Sequence, residues 1–375
     1  MKPKQSIIQF DYFLLLAFFI LIGIGLYFQL NISSVKNSMT YFYKQSTWFL
    51  LSLVSLFSAF YFIDLKKIRK LIFPLLLLVI ILLIFTLKFG IDVNGARRTI
   101  RILGISFQPS LLARIVLIIY FAHFLDKKKS IISKTYPLFF VKKFLVLLVV
   151  TTIIFLLILL EKHFSFIVIS GLTLIWLLFL AQIRGSSILS LITLALILGM
   201  LVITFGPKYR SNRIDIYKKW CLFFNHSTTQ KIDGEWQIKQ SLQTLSDGKL
   251  LGTGTTKGIG KYNFLPEDRT DYIFAIIGEE WGFLGASFVM LIFSFLFART
   301  LINANRQDNF FLKLVGFGLG MNIFFNAIVN IGVAMSALPS TGVTLPFISY
   351  GGTSLLINSF TIGLLLNVSK KRRIL

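Results

Sequence analysis

The sequence predicts an all-α integral membrane protein of about ten membrane-spanning helices, with one long folded extracytoplasmic loop, 206–271, between the seventh and eighth. Three observations carry the prediction. The chain of 375 residues is 55% hydrophobic and holds forty Phe. Only 14% of it is charged, against about 25% in an ordinary soluble domain. Apolar runs long enough to cross about 30 Å of hydrocarbon recur along its whole length. No stretch of soluble-domain size separates them, so residues 1–375 read as one membrane domain.

The N-terminus, MKPKQSIIQFDYFLLLAFFILIGIGLYF, begins charged and continues apolar, as a signal peptide does. Its apolar run is too long for one and no small-x-small cleavage site follows, so it reads as a retained first helix over 12–31. Further helices are predicted at 46–63, 70–88, 108–125, 143–160, 164–183 and 186–205. After the long loop come 272–299, 311–335 and 342–368. The short connections sort by charge. DLKKIRK (64–70), DKKKSIISKTYPLFFVKK (126–143), Arg184, RTLINANRQDNFFLK (299–313) and the SKKRR tail share one side, with Lys2 and Lys4. An excess of short-loop cations marks the cytoplasmic side. Both termini are therefore expected inside, with 89–107 and 206–271 outside. Topology and anionic lipid account for the net charge of +24, so no nucleic-acid partner is needed. Cys221 is the single cysteine, which excludes an intramolecular disulfide and a cysteine-based metal cluster.

Two outer segments depart from that pattern. NGARRTIRILGISFQPS puts Arg97, Arg98 and Arg101 outside, and GPKYRSNRIDIYKKW adds further cations between Lys208 and Lys219. Either this charge is simply tolerated in exterior loops, or it forms a cationic face for an anionic group, most simply a phosphate. Asn94-Gly95 reads as a tight turn that presents the arginines. A loop as long as 206–271 is usually functional or disordered. Trp220, Phe223, Phe224, Trp236, Leu250 and Leu251 favour a folded cap on the membrane surface, since disordered segments are poor in aromatics. The glycines of DGKLLGTGTTKGIGKYNF lack the strand-then-helix context of a nucleotide-binding loop.

LPEDRTDYIFAIIGEEWG, residues 265–282, gathers Glu267, Asp268, Asp271, Glu279 and Glu280, a third of the fifteen acids in the chain. Asp268, Thr270 or Asp271 is placed to cap a helix beginning near Tyr272. Asp271 also lies at the water–lipid boundary, where partial desolvation and nearby cations tune a general base. On one continuous helix, Glu279 and Glu280 lie about 12–14 Å deeper. Ionisable groups at that depth are functional or paired inside the bundle. LPSTGVTLPFISYGGTS (338–354) cannot form a straight lipid-facing helix, so it reads as a cavity-lining re-entrant turn. The rival reading is a plain outer loop before a kinked helix.

NGARR…FQPS, LPEDRTDYIFAIIGEEWGFLG and STGVTLPFISYGGTS resemble the signature segments of the SEDS family, the FtsW, RodA and SpoVE proteins of bacterial cell-wall synthesis. Their order, spacing and ten-helix layout match over nearly the whole chain. SSVKNSMTYFYKQ and WQIKQSL look closer to the FtsW branch than to RodA. The resemblance implies a peptidoglycan glycosyltransferase in septal or lateral wall synthesis, polymerising lipid II into glycan strands at the outer face of the cytoplasmic membrane. It implies a class B penicillin-binding protein as partner, alongside other divisome or elongasome membrane proteins. In the family the Asp of TD[FY]IF is the proposed catalytic residue, and here that is Asp271.

The chemistry implied is transfer of a glycosyl unit from a diphosphate to a sugar 4-hydroxyl. Asp271 would take the hydroxyl proton, and Arg97, Arg98, Lys257 and Arg210 would neutralise the departing diphosphate. Glu267, Ser349, Gly351 and Gly352 are expected to line the substrate site. A divalent cation, magnesium or manganese, bridging carboxylate and diphosphate is an alternative device.

The chain departs from the family pattern at several points. QPSLLAR has Leu111 for the usual Glu and Arg114 for the usual Lys, which removes an i,i+3 ion pair. Arg114 is therefore expected to pair with Glu279 or Glu280. Thr99 replaces a usual Trp, Lys162 a usual Pro, His163 a common Asp, and Thr344 a usual Pro. Two other functions remain open to the sequence. A lipid II flippase would also use buried carboxylates and a broken helix, though no inverted repeat is visible. A non-catalytic divisome scaffold needs only an apolar surface.

Overall fold

The computed structural model describes residues 6–374, except 37, 94–95, 103–104, 133–136, 207 and 222–233. The chain folds as an antiparallel helical bundle. Helices α1 (Tyr12–Val35) and α2 (Thr40–Tyr61) cross and return, followed by short α3 (Leu65–Ile68) and by α4 (Ile72–Phe89). Next come α5 (Pro109–Lys127), short α6 (Lys129–Ile132), α7 (Pro137–Leu160), α8 (Phe164–Leu180) and α9 (Gly185–Thr204). The segment 206–272 carries α10 (Lys208–Trp220) and α11 (Glu235–Asp247). The bundle closes with α12 (Ile273–Asn305), α13 (Phe310–Ala334) and α14 (Gly352–Ser369).

Strands β1 (Ser6–Gln9) and β5 (Lys371–Ile374) pair antiparallel, so both chain ends lie at one face of the bundle. We call this the termini face; the opposite face, bearing 206–272, is the loop face. Eight of the described helices are long and apolar enough to cross a membrane. Of the ten expected spans, α2 and α8 do not meet that measure. Helix α8 has only 17 residues, and the opening stretch of α2, TYFYKQST, holds most of that helix's polar side chains. Asp11 shows how the termini face is tied together. Its Oδ1 accepts the amides of Phe13 and Leu14, capping α1. Its Oδ2 accepts from Arg299 and Asn303 near the end of α12.

Three features differ from the sequence expectation, and each concerns the loop face. Strands β2 (Ile91–Val93), β3 (Ala96–Ile102) and β4 (Ile105–Phe107) form a small antiparallel sheet. The proposed Asn94-Gly95 turn lies outside the described residues. Helix α14 begins at Gly352 rather than near 342. The preceding segment 338–351 is largely irregular and descends into the bundle, where Phe347 meets Phe18 of α1 edge-on, ring centroids 5.4 Å apart. This is the re-entrant arrangement.

Helix α12 is not one continuous rod. Gly282 adopts φ +67°, a conformation that side chains resist and glycine accepts. Residues 283–305 alone cover roughly 34 Å at 1.5 Å per residue, which suffices to span the hydrocarbon. Glu279 and Glu280 therefore sit before the span, near the loop-face end of α1, where Asn31 donates to Glu280 Oε2 at 2.5 Å. The depth expected for a continuous helix is corrected accordingly.

The break is covered by segment 248–264, whose backbone pairs with it: Phe283 N donates to Lys249 O, and Thr253 N to Glu279 O. This pairing turns Leu250 and Leu251 outward, 59% and 75% exposed, and Trp236 is 56% exposed. These side chains do not fill the cap's interior; Phe223 and Phe224 lie outside the described residues.

Candidate functional site

Asp271 follows a tight turn at the loop face. Thr270 N and Tyr272 N both donate to Glu267 O, and Glu267 takes φ +55°. Strain of that kind collects where geometry matters more than comfort. The turn is clamped from three directions. Ser349 Oγ donates to Thr270 O at 2.6 Å, Tyr350 N to Arg269 O at 2.7 Å, and Gln29 Nε2 to Arg269 O at 3.1 Å. Asn330 of α13 donates through Nδ2 to Asp271 O and to Val343 O. The helix bundle and the re-entrant segment thus fix the backbone on both sides of one half-buried carboxylate.

The charges around Asp271 come from elsewhere in the chain. Arg213 of α10 donates to Ser340 O at 3.2 Å, beside Gly342, which faces Asp271 Oδ2. Arg98 of β3 donates to Lys162 O at 2.6 Å. Burial pushes the Asp271 carboxyl up, to about 6, with the Glu267 charge adding and Arg213 and Arg98 opposing. Glu161, fully buried between α7 and α8, is pushed up by desolvation to about 8, against the pull of Arg98. It is therefore a neutral acid at pH 7. His163 is held well below its usual range by burial and by Arg98, Arg114 and Arg213, and its Nδ1 meets Gln108 Nε2 at 3.3 Å. Burial thus favours the uncharged forms of both Glu161 and His163.

Arg98 is brought to this region. Arg97 points away, its guanidinium reaching Leu87 O and Lys88 O at the end of α4 and Asp92 at 3.8 Å. Lys257 lies exposed on the turn covering Glu279 and is not among the charges acting on Asp271. The Arg210 side chain lies outside the described residues. Glu267 accepts from Thr270 Oγ1 at 2.8 Å and adds its charge to Asp271. Ser349 holds the turn, as described, rather than an open wall. Gly351 N approaches Gln45 Oε1 at 3.4 Å. At Gly352 a Cβ would fall 2.0 Å from the Trp48 ring, so this glycine serves close packing of α14 on α2.

Arg114 does not reach either glutamate. Helix α5 packs on α8 and α13, and the guanidinium donates to Asn326 Oδ1 at 2.7 Å while lying 4.2 Å over the Phe166 ring. An amide oxygen and an aromatic face replace the expected acid. Glu279 instead accepts the amides of Ile259 and Gly260, and Glu280 pairs with Lys261. Sequence reasoning had no signal for Arg213 beyond its place in a cationic stretch. The spacing shows how many cations are available but not which one the fold turns inward.

A polytopic helical bundle with one tuned carboxylate under a folded loop and arginines converging beside it defines a membrane protein built for polar chemistry at one face. The chain belongs to the FtsW/RodA/SpoVE family of cell cycle proteins, whose model matches residues 6–374. It is 34% identical to a probable peptidoglycan glycosyltransferase FtsW of Geobacter sulfurreducens, over 82% of this chain and 80% of the relative. A relative of the same description from Wigglesworthia glossinidia brevipalpis is 30% identical over 95% of this chain and 93% of its own. A third, from Idiomarina loihiensis, is 32% identical over 80% and 71%. These names accord with the FtsW-like branch.

Among solved structures, the fold matches a chain described under "Structural coordination of polymerization and crosslinking by a peptidoglycan synthase complex". The TM-score is 0.78 at 24% identity, covering 96% of this chain and 97% of that one. It also matches the rod shape determining protein RodA of Thermus thermophilus, with TM-score 0.69 at 23% identity and 96% coverage of both chains.

Proposed function

We propose that this chain is a peptidoglycan glycosyltransferase that polymerises lipid II at the outer face of the bacterial cytoplasmic membrane, with Asp271 as its general base. Family membership and the named relatives support the activity; the tuned Asp271 carboxyl beside Arg98 and Arg213 carries the assignment of the site. The loop face is then extracytoplasmic and both termini cytoplasmic, as the charge of the short connections requires. A class B penicillin-binding protein is the expected partner.

In the reaction the acceptor 4-hydroxyl gives its proton to Asp271 as its oxygen bonds to the donor's anomeric carbon. The bond from that carbon to the diphosphate oxygen breaks, and the diphosphate leaves with the electron pair. Arg98 and Arg213 oppose the charge that develops there. Glu161, held neutral by burial, adds no negative charge beside the leaving group. Arg213→Ala is expected to lower kcat/KM by roughly ten- to a hundredfold, measured by polymer yield against lipid II concentration.

A divalent cation fits this site only with help from the substrate. Among the described residues no three of His, Cys, Asp and Glu converge on a point. Magnesium is commonly held by one or two carboxylates plus phosphate oxygens, so Asp271 would be its main protein ligand. Bound there, it would neutralise diphosphate charge.

The pH dependence follows from Asp271. A base must be ionised to work, so kcat/KM is expected to fall as pH drops through about 6. Removing the Glu267 charge eases ionisation of Asp271, so Glu267→Gln is expected to move this limb to lower pH. An unmoved limb would show that the Glu267 charge does not act on Asp271. The function itself is tested with purified protein, labelled lipid II and the penicillin-binding partner. Polymer formation supports the enzyme, whereas translocation of lipid II across vesicles without polymer would favour a flippase.

A further inference from the structure

Beside the Asp271 turn, the loop face holds a cavity of about 430 Å³. Its size is within the range of roughly 300–1,000 Å³ of small-molecule sites. One wall is the connection from α1 to α2, with Lys36 and Tyr41; the other is the turn Glu267–Thr270, with Tyr350. The Tyr41 and Tyr350 rings meet edge-on with centroids 5.4 Å apart, and the Arg269 guanidinium lies 4.2 Å over Tyr41. Lys36 Nζ pairs with Asp268 Oδ2 at 2.7 Å. Asp268 and Arg269 are more than nine-tenths buried, while Tyr41 is 44% exposed.

The composition of this cavity selects its ligand. Its two cations, Lys36 and Arg269, are matched by two carboxylates, Glu267 and Asp268, so it carries no net charge to draw a phosphate or an anionic headgroup. Its apolar surface is aromatic and its other groups are hydrogen-bonding, so it is unsuited to an acyl chain. Aromatic rings with a few fixed carboxylates and a guanidinium suit a neutral polyhydroxy ligand, whose rings present apolar C–H faces and hydroxyl edges. The neighbouring residue in the chain is Asp271, and Glu267 belongs to both places. Glu267 reaches the cavity from a left-handed backbone conformation that the Ser349, Tyr350 and Gln29 contacts hold in place.

The geometry points to a saccharide subsite here: a pocket that grips amino-sugar units of the glycan strand next to the reacting carboxylate. The inference rests on the polymerase reading, naming for that same site where the sugar chain lies. Gripping the strand between additions keeps it from dissociating, so this pocket sets how long the products grow.

The test uses chitotetraose, a soluble β-1,4-linked amino-sugar oligomer, with binding to the full-length protein in detergent followed by saturation-transfer NMR. Wild type is expected to bind it, Tyr41→Ala about tenfold more weakly, and Tyr41→Phe nearly as well as wild type. Asp271→Asn is expected to bind it and make no polymer. In polymerisation assays Tyr41→Ala is expected to give shorter glycan strands. No binding by wild type, or binding and strand length both unchanged in Tyr41→Ala, would overturn the subsite. Uptake of a free stem peptide but not of chitotetraose at this tyrosine would overturn it in favour of a peptide site. Chitotetraose binding without any polymer from wild type would support the saccharide pocket and count against the polymerase reading instead.

Discussion

Lys261→Met is expected to cost about 3–5 kcal/mol of stability, the usual penalty for stranding one member of a buried ion pair. Lys261 and Glu280 are both fully buried and hydrogen-bonded to each other. Asn31 completes the cluster, accepting from Lys261 Nζ at 2.8 Å and donating to Glu280 Oε2 at 2.5 Å. Without Lys261 the Glu280 carboxylate keeps only the Asn31 amide, in a place water does not reach. The double variant Lys261→Met, Glu280→Leu is expected to recover most of the loss, because an apolar pair carries no desolvation penalty. Thermal unfolding in detergent micelles distinguishes the two. A single variant as stable as wild type would show that the pair does not hold the cap. The cluster matters for function because it joins α1, the segment covering Gly282, and the start of α12, which immediately follows Asp271.

Asp271→Asn is expected to reduce polymerisation by roughly 10²- to 10⁴-fold, the usual contribution of a positioned general base. The substitution is nearly isosteric. The contact from Asn330 uses the backbone oxygen of residue 271, so it survives, and the turn remains clamped through Thr270 O and Arg269 O. The loss therefore reads chemistry rather than folding. An amide cannot take the acceptor proton, and restoring a carboxylate one methylene longer with Asp271→Glu is expected to recover part of the rate. Unfolding temperatures of the three proteins should lie close together.

The helices were legible because hydropathy is a one-dimensional signal: a long apolar run needs no distant partner to be recognised. Gly282 was not, since IFAIIGEEWGFLG reads as one helical stretch until the loop backbone pairs with it. The error about Glu279 and Glu280 followed directly, because depth was counted along a rod that is broken. The partners of Glu280, Lys261 and Asn31, lie 19 and 249 residues from it, and one sequence carries no record of such a pairing. Asp271 was legible through its motif and its place at the end of a polar stretch. Of the outer cations, Arg98 rather than Arg97 turns toward the site, because alternate residues of a strand face opposite sides. The short alternation in ARRTIRI was the available sign of that strand.

As the proposed general base, Asp271 must be ionised for this chain to polymerise lipid II. This requirement is tested most directly by the pH–rate profile of glycan polymerisation, wild type against Asp271→Asn, with the penicillin-binding partner present. Wild type is expected to give polymer with kcat/KM falling below pH about 6, and a folded Asp271→Asn almost none at any pH. Equal polymer from both, with the same acid limb, would place the base elsewhere.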